Sequence, residues 1–242
     1  MKDSSNQTEK NKPNHANIYA SQAADYERLI SKQSSLHLYR QLSSIIDFTG
    51  KDIIDLGAGT GRISSILSGV AHTIIALDKS VAMLEVAKTK LEQSRLKNWS
   101  IAQADHRDLP LPDLCADVIV SGWSISYLTN TGQDNWEDNL NLILAEAKRV
   151  LRPNGLIIIV ETLGTGCTTP SPPDYLKPYY TMLEQQLGFL HTSFRVDYHF
   201  DNIEQALSLS NFFFGHSIAH AIQQNQSRIL PECAGMWWRY LD

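Results

Sequence analysis

Cysteine is scarce in this chain. There are three residues in 242, Cys115, Cys167 and Cys233, far apart and odd in number. No disulfide framework and no CxxC zinc pattern can be drawn from them, so a reducing, cytoplasmic setting is the default and no metal is expected. Long hydrophobic runs are missing too. The longest, Leu156–Val160 (LIIIV), is far too short to span a bilayer, and no membrane association is expected. Basic charge is not in excess. The net charge of −5 argues against a dedicated nucleic-acid binder, because neutralising phosphates takes clustered Lys and Arg. There is no Gly- or Ser-rich linker, no repeat and no low-complexity block, so residues 18–242 are expected to form a single domain. Residues 1–17, MKDSSNQTEKNKPNHAN, have neither the apolar centre of a signal peptide nor a lipidation site. Their polarity predicts a disordered tail.

What is present is a rhythm. Ile18 to Ile46 reads as helix, with apolar residues at Leu29, Leu36, Leu42 and Ile45–Ile46. Short apolar runs then alternate with helix-length segments: DIIDL, a helix from Gly61, HTIIAL, a helix from Ser80, WSIAQ, ADVIVS, a helix over Glu137–Leu151, and GLIIIVE. Continuous apolar strands of this kind are buried on both faces, and the alternation implies right-handed crossovers on a parallel, doubly wound α/β sheet. Pro153-Asn154-Gly155 is a turn into the fifth strand. Beyond it, a helix is expected over Asp174–Leu187, an edge strand in HTSFRVDYHF, helices over Ile203–Phe214 and Ser217–Gln224, and a last strand in RILPECAGMWWRYL.

The first strand runs into DIIDLGAGTGRIS, a glycine-rich turn of the kind that brings backbone N–H groups close to a ligand. A phosphate-binding loop needs GxxxxGK[ST], and Gly61 is followed by Arg62 and Ile63, so that reading fails. The dinucleotide fingerprint GxGxxG wants its third glycine where Arg62 stands. Asp55, at the mouth of the strand, would repel a pyrophosphate but suits a ligand with positive charge. Asp78 ends the second strand, where a carboxylate accepts from both ribose hydroxyls. Asp105 follows the third, placed to accept from an exocyclic amine. A nucleoside with cationic substituents and no phosphate fits this set, and S-adenosylmethionine is such a molecule.

These motifs resemble those of the class I S-adenosylmethionine-dependent methyltransferases, in the group that includes the ubiquinone/menaquinone-biosynthesis enzymes. DIIDLGAGTGR is similar to the family's first motif, ALDKSVAML to its second and ADHRDLPLPD to its third. ADVIVSGWSISYL resembles the fourth-strand motif, with Ala116 where an aromatic is common. EAKRVLRPNGLIIIVE resembles the approach to the fifth strand, with Asn154 where glycine is usual. The resemblance covers about Ile46–Glu161. It implies a Rossmann-like seven-stranded sheet with the last strand antiparallel, helices on both faces, and a helical insertion over Asp201–Gln226 covering a small or medium-sized methyl acceptor. It implies cofactor contacts from Tyr26, Asp55, Gly57, Ala58, Gly59, Gly61, Asp78, Lys79, Met83, Asp105, the backbone of His106, Ser121 and Gly122. Tyr19, Trp123, Tyr127 and Glu161 fall on the acceptor side. The implied product is S-adenosylhomocysteine.

Each of these residues has a plainer reading. Asp55 can cap the next turn, Trp123 can be core, Tyr19 and Tyr26 can pack a helix, and Glu161 can cap the turn after its strand. His216 and His220 lie one helical turn apart but lack the Glu of HExxH and a third ligand, which favours a solvated face. Most rings of Asn211–Gly215 (NFFFG) and Gly235–Tyr240 (GMWWRY) are expected in the core. No catalytic base can be named. Two other functions stay open, a non-catalytic S-adenosylmethionine-binding module and an NAD(P)-dependent oxidoreductase.

Overall fold

A computed structural model describes residues 13–241. The elements in chain order are α1 (His15–Ser21), α2 (Ala23–Ile30), α3 (Ser35–Ser43), β1 (Asp52–Leu56), α4 (Arg62–Leu67), β2 (Thr73–Asp78), α5 (Val81–Gln93) and β3 (Trp99–Gln103). They continue with β4 (Ala116–Gly122), α6 (Ser126–Thr129), α7 (Trp136–Val150), β5 (Leu151–Thr165), α8 (Lys177–Thr181), β6 (Leu190–Arg195) and β7 (Tyr198–His199). The last are α9 (Ile203–Phe214), α10 (His216–Asn225), β8 (Ile229–Leu230) and β9 (Glu232–Leu241).

The continuous apolar strands are explained by their two faces. In β5, Leu156, Ile158 and Val160 enter one core while Ile157 and Ile159 enter the other, and β4 divides Val118 and Val120 from Ile119 in the same way. Leu38 and Leu42 of α3 and Ile63 and Leu67 of α4 close the first core. Leu140, Ile143, Ala147 and Val150 of α7, with Tyr179 and Leu183, close the second. The main sheet has the order β3-β2-β1-β4-β5-β9-β6. Strands β1 to β5 pair in parallel, and β9 runs antiparallel to both β5 and β6. The doubly wound sheet with one antiparallel strand is therefore the architecture, and HTSFR does lie at its edge. Asn154 takes φ +62°, a conformation asparagine tolerates, which accounts for its standing where glycine is usual.

Four expectations need correction. Ile18–Ile46 is not one helix. It breaks at Gln22 (φ −129°, ψ 32°), and again before Ser34, whose side chain caps α3 by accepting from His37 N. Long-range bonds hold the second break: Gln33 Nε2 donates to Val196 O at 2.5 Å. Nor does the tail reach residue 17. Residues 1–12 lie outside the described region, but His15–Asn17 are helical, because Asn14 caps α1 and His15 stacks on Phe213 with centroids 4.4 Å apart. The segment Asp174–Leu187 is a 3-10 turn, the short α8 and a π turn closed by Leu187 N donating to Met182 O. At both ends of the chain's last long connection the expected strands divide. Pro231 separates β8 from β9, and Val196–Asp197 separates β6 from β7. Strands β7 and β8 pair with each other as a ribbon apart from the main sheet, and α9 and α10 run between them.

Candidate active site

The glycines after β1 do three different jobs. Gly57 (φ +74°) donates to Leu77 O at 2.8 Å, and a Cβ there would lie 1.8 Å from Ser124 Oγ and 2.8 Å from His106 Nε2. It is glycine because two other segments cross it. Gly59 (φ +54°) meets nothing within 4 Å: its missing side chain faces open cavity. Gly61 is glycine for the sake of helix packing. A Cβ there would be 2.9 Å from Ala87 Cβ, so it lets α4 start against α5, and it does not line the cavity.

That cavity, of about 650 Å³, is lined by Asp55, Gly57, Ala58, Gly59, Asp78, Lys79, Met83, Asp105, His106 and Gly122, with Tyr19 and Tyr26 from the N-terminal helices. The sequence brought together these residues from four strand ends. Ser121 is the other exception. It is fully buried inside β4, its Oγ has no partner and it lines neither cavity, because the pleat turns it away from its neighbour Gly122.

The acids are held tightly. Asp78 Oδ2 accepts from Gly59 N at 2.8 Å and Oδ1 from Ser80 N at 2.7 Å, so the carboxylate fixes the turn and keeps lone pairs for a ligand. Burial nevertheless raises its pKa. Asp55 caps α4, as its plainer reading had it: Oδ2 accepts from Ser64 N and Ser64 Oγ. Its Oδ1 is buried with no partner, and burial pushes its pKa up to about 6. A cation brought into the cavity would satisfy it. Asp105 takes a bidentate contact from Arg107, with Lys79 Nζ at 3.8 Å, and Arg107 holds its carboxyl well below the ordinary range. His106 donates or accepts at Ser124 Oγ (2.8 Å), and burial lowers its pKa to about 4.

A second cavity, of about 490 Å³, adjoins the first, and Tyr19, Tyr26, Ile30, Arg62, Trp123 and Tyr127 line both. Trp123 sits in a left-handed conformation (φ +53°) unusual for so large a residue, with the Arg62 guanidinium 4.5 Å over its ring. The Tyr19 and Tyr127 hydroxyls meet at 2.5 Å. Glu161, buried at the end of β5's apolar run, lines this cavity while accepting from Ser126 N (2.9 Å) and Ser126 Oγ (2.8 Å), so it also caps α6. Phe213 and Phe214 line it too, whereas Phe212 does not.

Arg62 and Glu232 are wall residues that the sequence did not single out. Arg62 was legible, since it follows the glycine turn directly, but it entered only as the residue that breaks the phosphate-loop and dinucleotide patterns. Glu232 had no such signal. It reaches the cavity because antiparallel pairing sets it opposite Thr165. Burial raises Glu161 and Glu232 to about 7 each. A carboxyl whose folded pKa exceeds its unfolded value stabilises the fold below the unfolded value, and that stability is lost as pH rises through the folded one. The melting temperature of Glu232→Gln, measured against the parent, should therefore improve between pH 4.5 and pH 7.5. A difference that stays flat with pH would place the Glu232 carboxyl in water instead. Among the described residues no group of three or more His, Cys, Asp and Glu is arranged to hold a metal ion. None of the described helices is long and apolar enough to cross a membrane.

Comparison with known proteins agrees with this geometry. A family model described as a methyltransferase domain matches residues 54–159. The chain is 31% identical over 180 residues to a demethylmenaquinone methyltransferase of Lactococcus lactis subsp. lactis, covering 72% of this chain and 66% of the relative. It is 32% identical over 157 residues to a ubiquinone/menaquinone biosynthesis C-methyltransferase of Coxiella burnetii, covering 60% of this chain and 57% of the relative. The matches thus span less than two thirds of these relatives' length. The crystal structure of a SAM-dependent methyltransferase from Aquifex aeolicus shares the fold, with a TM-score of 0.56 at 17% identity, over 88% of this chain and 92% of that one. The chain carries a methyltransferase domain and is similar to the class I S-adenosylmethionine-dependent methyltransferase family, in its ubiquinone/menaquinone-biosynthesis-like group. The cofactor of that family is S-adenosylmethionine, and the cavity suits it: an unpartnered Asp55 oxygen awaits a cation, and Gly59 opens the wall.

Proposed function

We infer that the protein transfers the methyl group of S-adenosylmethionine to a small molecule held in the second cavity, and that it works in the cytoplasm. The observation that carries this is the shared wall. A ligand filling the first cavity ends beside Trp123 and Tyr127, where the second begins. In this reading Asp78 receives the ribose hydroxyls, Asp105 the adenine amine and the backbone of His106 a ring nitrogen. Met83 packs beside the base with Lys79 at its rim, and the free oxygen of Asp55 faces the cofactor's ammonium. The cofactor supplies a methyl on a sulfonium, which leaves as a neutral thioether. The protein's task is then alignment and exclusion of water more than acid catalysis. Tyr19 serves the exclusion: its carbonyl accepts from Ser80 Oγ at 2.6 Å, which ties α1 over the cofactor cavity.

The helices α9 and α10, over Asp201–Gln226, act as a cap on the acceptor in this reading. What supports it is that they leave the main sheet through the β7–β8 ribbon and present Phe213 and Phe214 to the second cavity. Phe214→Ser should slow acceptor turnover at least tenfold with S-adenosylhomocysteine affinity within twofold of the parent, and Phe212→Ser should change neither. Loss of cofactor affinity and melting temperature together in Phe214→Ser would make the ring core.

Calorimetric titration with S-adenosylhomocysteine and NAD(P)H, followed by a methyl-acceptor screen, tests the function. Tight binding of NAD(P)H alone would favour an oxidoreductase. Binding of S-adenosylhomocysteine with no acceptor across a broad screen would favour a non-catalytic cofactor-binding module.

A further inference from the structure

Two buried polar atoms belonging to wall residues of the second cavity have no partner: Nη2 of Arg62 and Oε2 of Glu232. Buried polar groups are nearly always hydrogen-bonded, and an unpaired buried charge is costly, so orphans of opposite sign around one cavity call for an explanation. Neither side chain is loosely placed. Arg62 gives Nη1 to Gln33 Oε1 at 2.7 Å and lays its guanidinium on Trp123. Glu232 is 3% exposed, accepts from Thr162 Oγ1 at 2.7 Å through Oε1 and has the Thr165 hydroxyl beside its carboxyl. The fold does not neutralise Arg62 either. Glu27, an acid near it, is engaged by Lys90 at 2.8 Å and by Thr60, and Arg62 and Glu232 do not approach closely enough to pair. A cation and an acid thus line the same small space without forming an ion pair.

We propose that the methyl acceptor is a small aromatic carboxylic acid that also bears a hydroxyl or amino group, its carboxylate received by Arg62 and its hydroxyl or amino hydrogen by Glu232. The proposal rests on the methyl-transfer reading and names its substrate class. A guanidinium suits carboxylate and phosphate equally. The carboxylate is favoured because Arg62 is, among the described residues, the only Arg or Lys lining the cavity, while Glu161 and Glu232 would repel a dianion. The faces of Trp123, Tyr175, Phe213 and Phe214 suit a ring between the two polar ends. Arg62 also lines the cofactor cavity, but Glu232, an acid whose charge it feels, lines only the second.

The test is calorimetry on the full chain saturated with S-adenosylhomocysteine. The probes are benzoate and the ring isomers of hydroxybenzoate and aminobenzoate, each compared with its primary amide. At least one hydroxy or amino acid should bind at least tenfold tighter than its amide and than benzoate. Arg62→Gln should erase the preference for acid over amide, and Glu232→Gln the preference for the substituted ring, with S-adenosylhomocysteine affinity within twofold in both. Equal binding of acid and amide to the parent, or no binding of any acid, overturns the proposal without needing either variant. A tenfold loss of S-adenosylhomocysteine affinity in Arg62→Gln also overturns it, by assigning the guanidinium to the cofactor. Failure of the parent to bind S-adenosylhomocysteine in the first place is a separate result and removes the methyl-transfer reading itself.

Discussion

Gly57→Ala should abolish detectable S-adenosylhomocysteine binding and lower the melting temperature, whereas Gly59→Ala should lose binding with a much smaller loss of stability. At Gly57 a methyl group would overlap Ser124, with Oγ at 1.8 Å and Cβ at 2.4 Å, and would press on His106. The Ser124–His106 hydrogen bond at 2.8 Å would have to break, which disturbs the loops after β3 and β4 that wall the cofactor cavity. Left-handed backbone strain and overpacking together cost on the order of 3 kcal/mol. For a chain of this size that is a fall of roughly 6–12 °C. Gly59 carries the same kind of backbone, at φ +54°, but a side chain there meets no protein atom. Its strain is about 1–2 kcal/mol, and its methyl group stands where the cofactor must approach. Thermal melting and calorimetry on the two variants separate the roles. If Gly59→Ala binds like the parent, the cofactor does not lie against this turn.

The second large effect is expected at Asp78. Asp78→Ala should weaken S-adenosylhomocysteine binding by about 1.5–3 kcal/mol, or roughly 10- to 150-fold, from the loss of hydrogen bonds to a charged acceptor. The carboxylate also holds Gly59 N and Ser80 N, so affinity alone would not tell a ribose ligand from a brace for the turn. A double-mutant logic does. The parent should prefer 5′-methylthioadenosine over its 2′-deoxy analogue, and Asp78→Ala should show little preference. A preference that survives the substitution unchanged would make Asp78 a brace and move the ribose elsewhere.

Much of the site was legible because the local pattern was enough to fix it. The strand ends could be placed from DIIDL, TIIALD and ADVIVSG, since an apolar run buried on both faces has few other ways to be used. Once those ends were placed, Asp55, Gly57, Gly59, Asp78 and Gly122 followed, each lying within a few residues of one, and Asp105 followed from the end of WSIAQ in the same way. Gly61 and Ser121, expected beside the cofactor, do not line the cavity, for a related reason. Proximity along the chain put them beside the cofactor, and only the packing of Ala87 against Gly61 and the pleat at Ser121 turn them elsewhere.

The sequence by itself determined the doubly wound sheet and the cofactor turn, because these rest on hydrophobic period and on glycine and acid placement over short spans, while the antiparallel last strand was implied only by the family resemblance. The tertiary structure assembled the second cavity. Its wall draws Tyr19 and Tyr26 from the N-terminal helices, Arg62 from the head of α4, Trp123 from the loop after β4, Tyr127 from α6, Glu161 from β5, Phe213 from α9 and Glu232 from β9. No local periodicity links residues that far apart. They meet because β9 inserts between β5 and β6, with α9 and α10 carried on the ribbon beside it, and that pairing exists only once the whole sheet has formed.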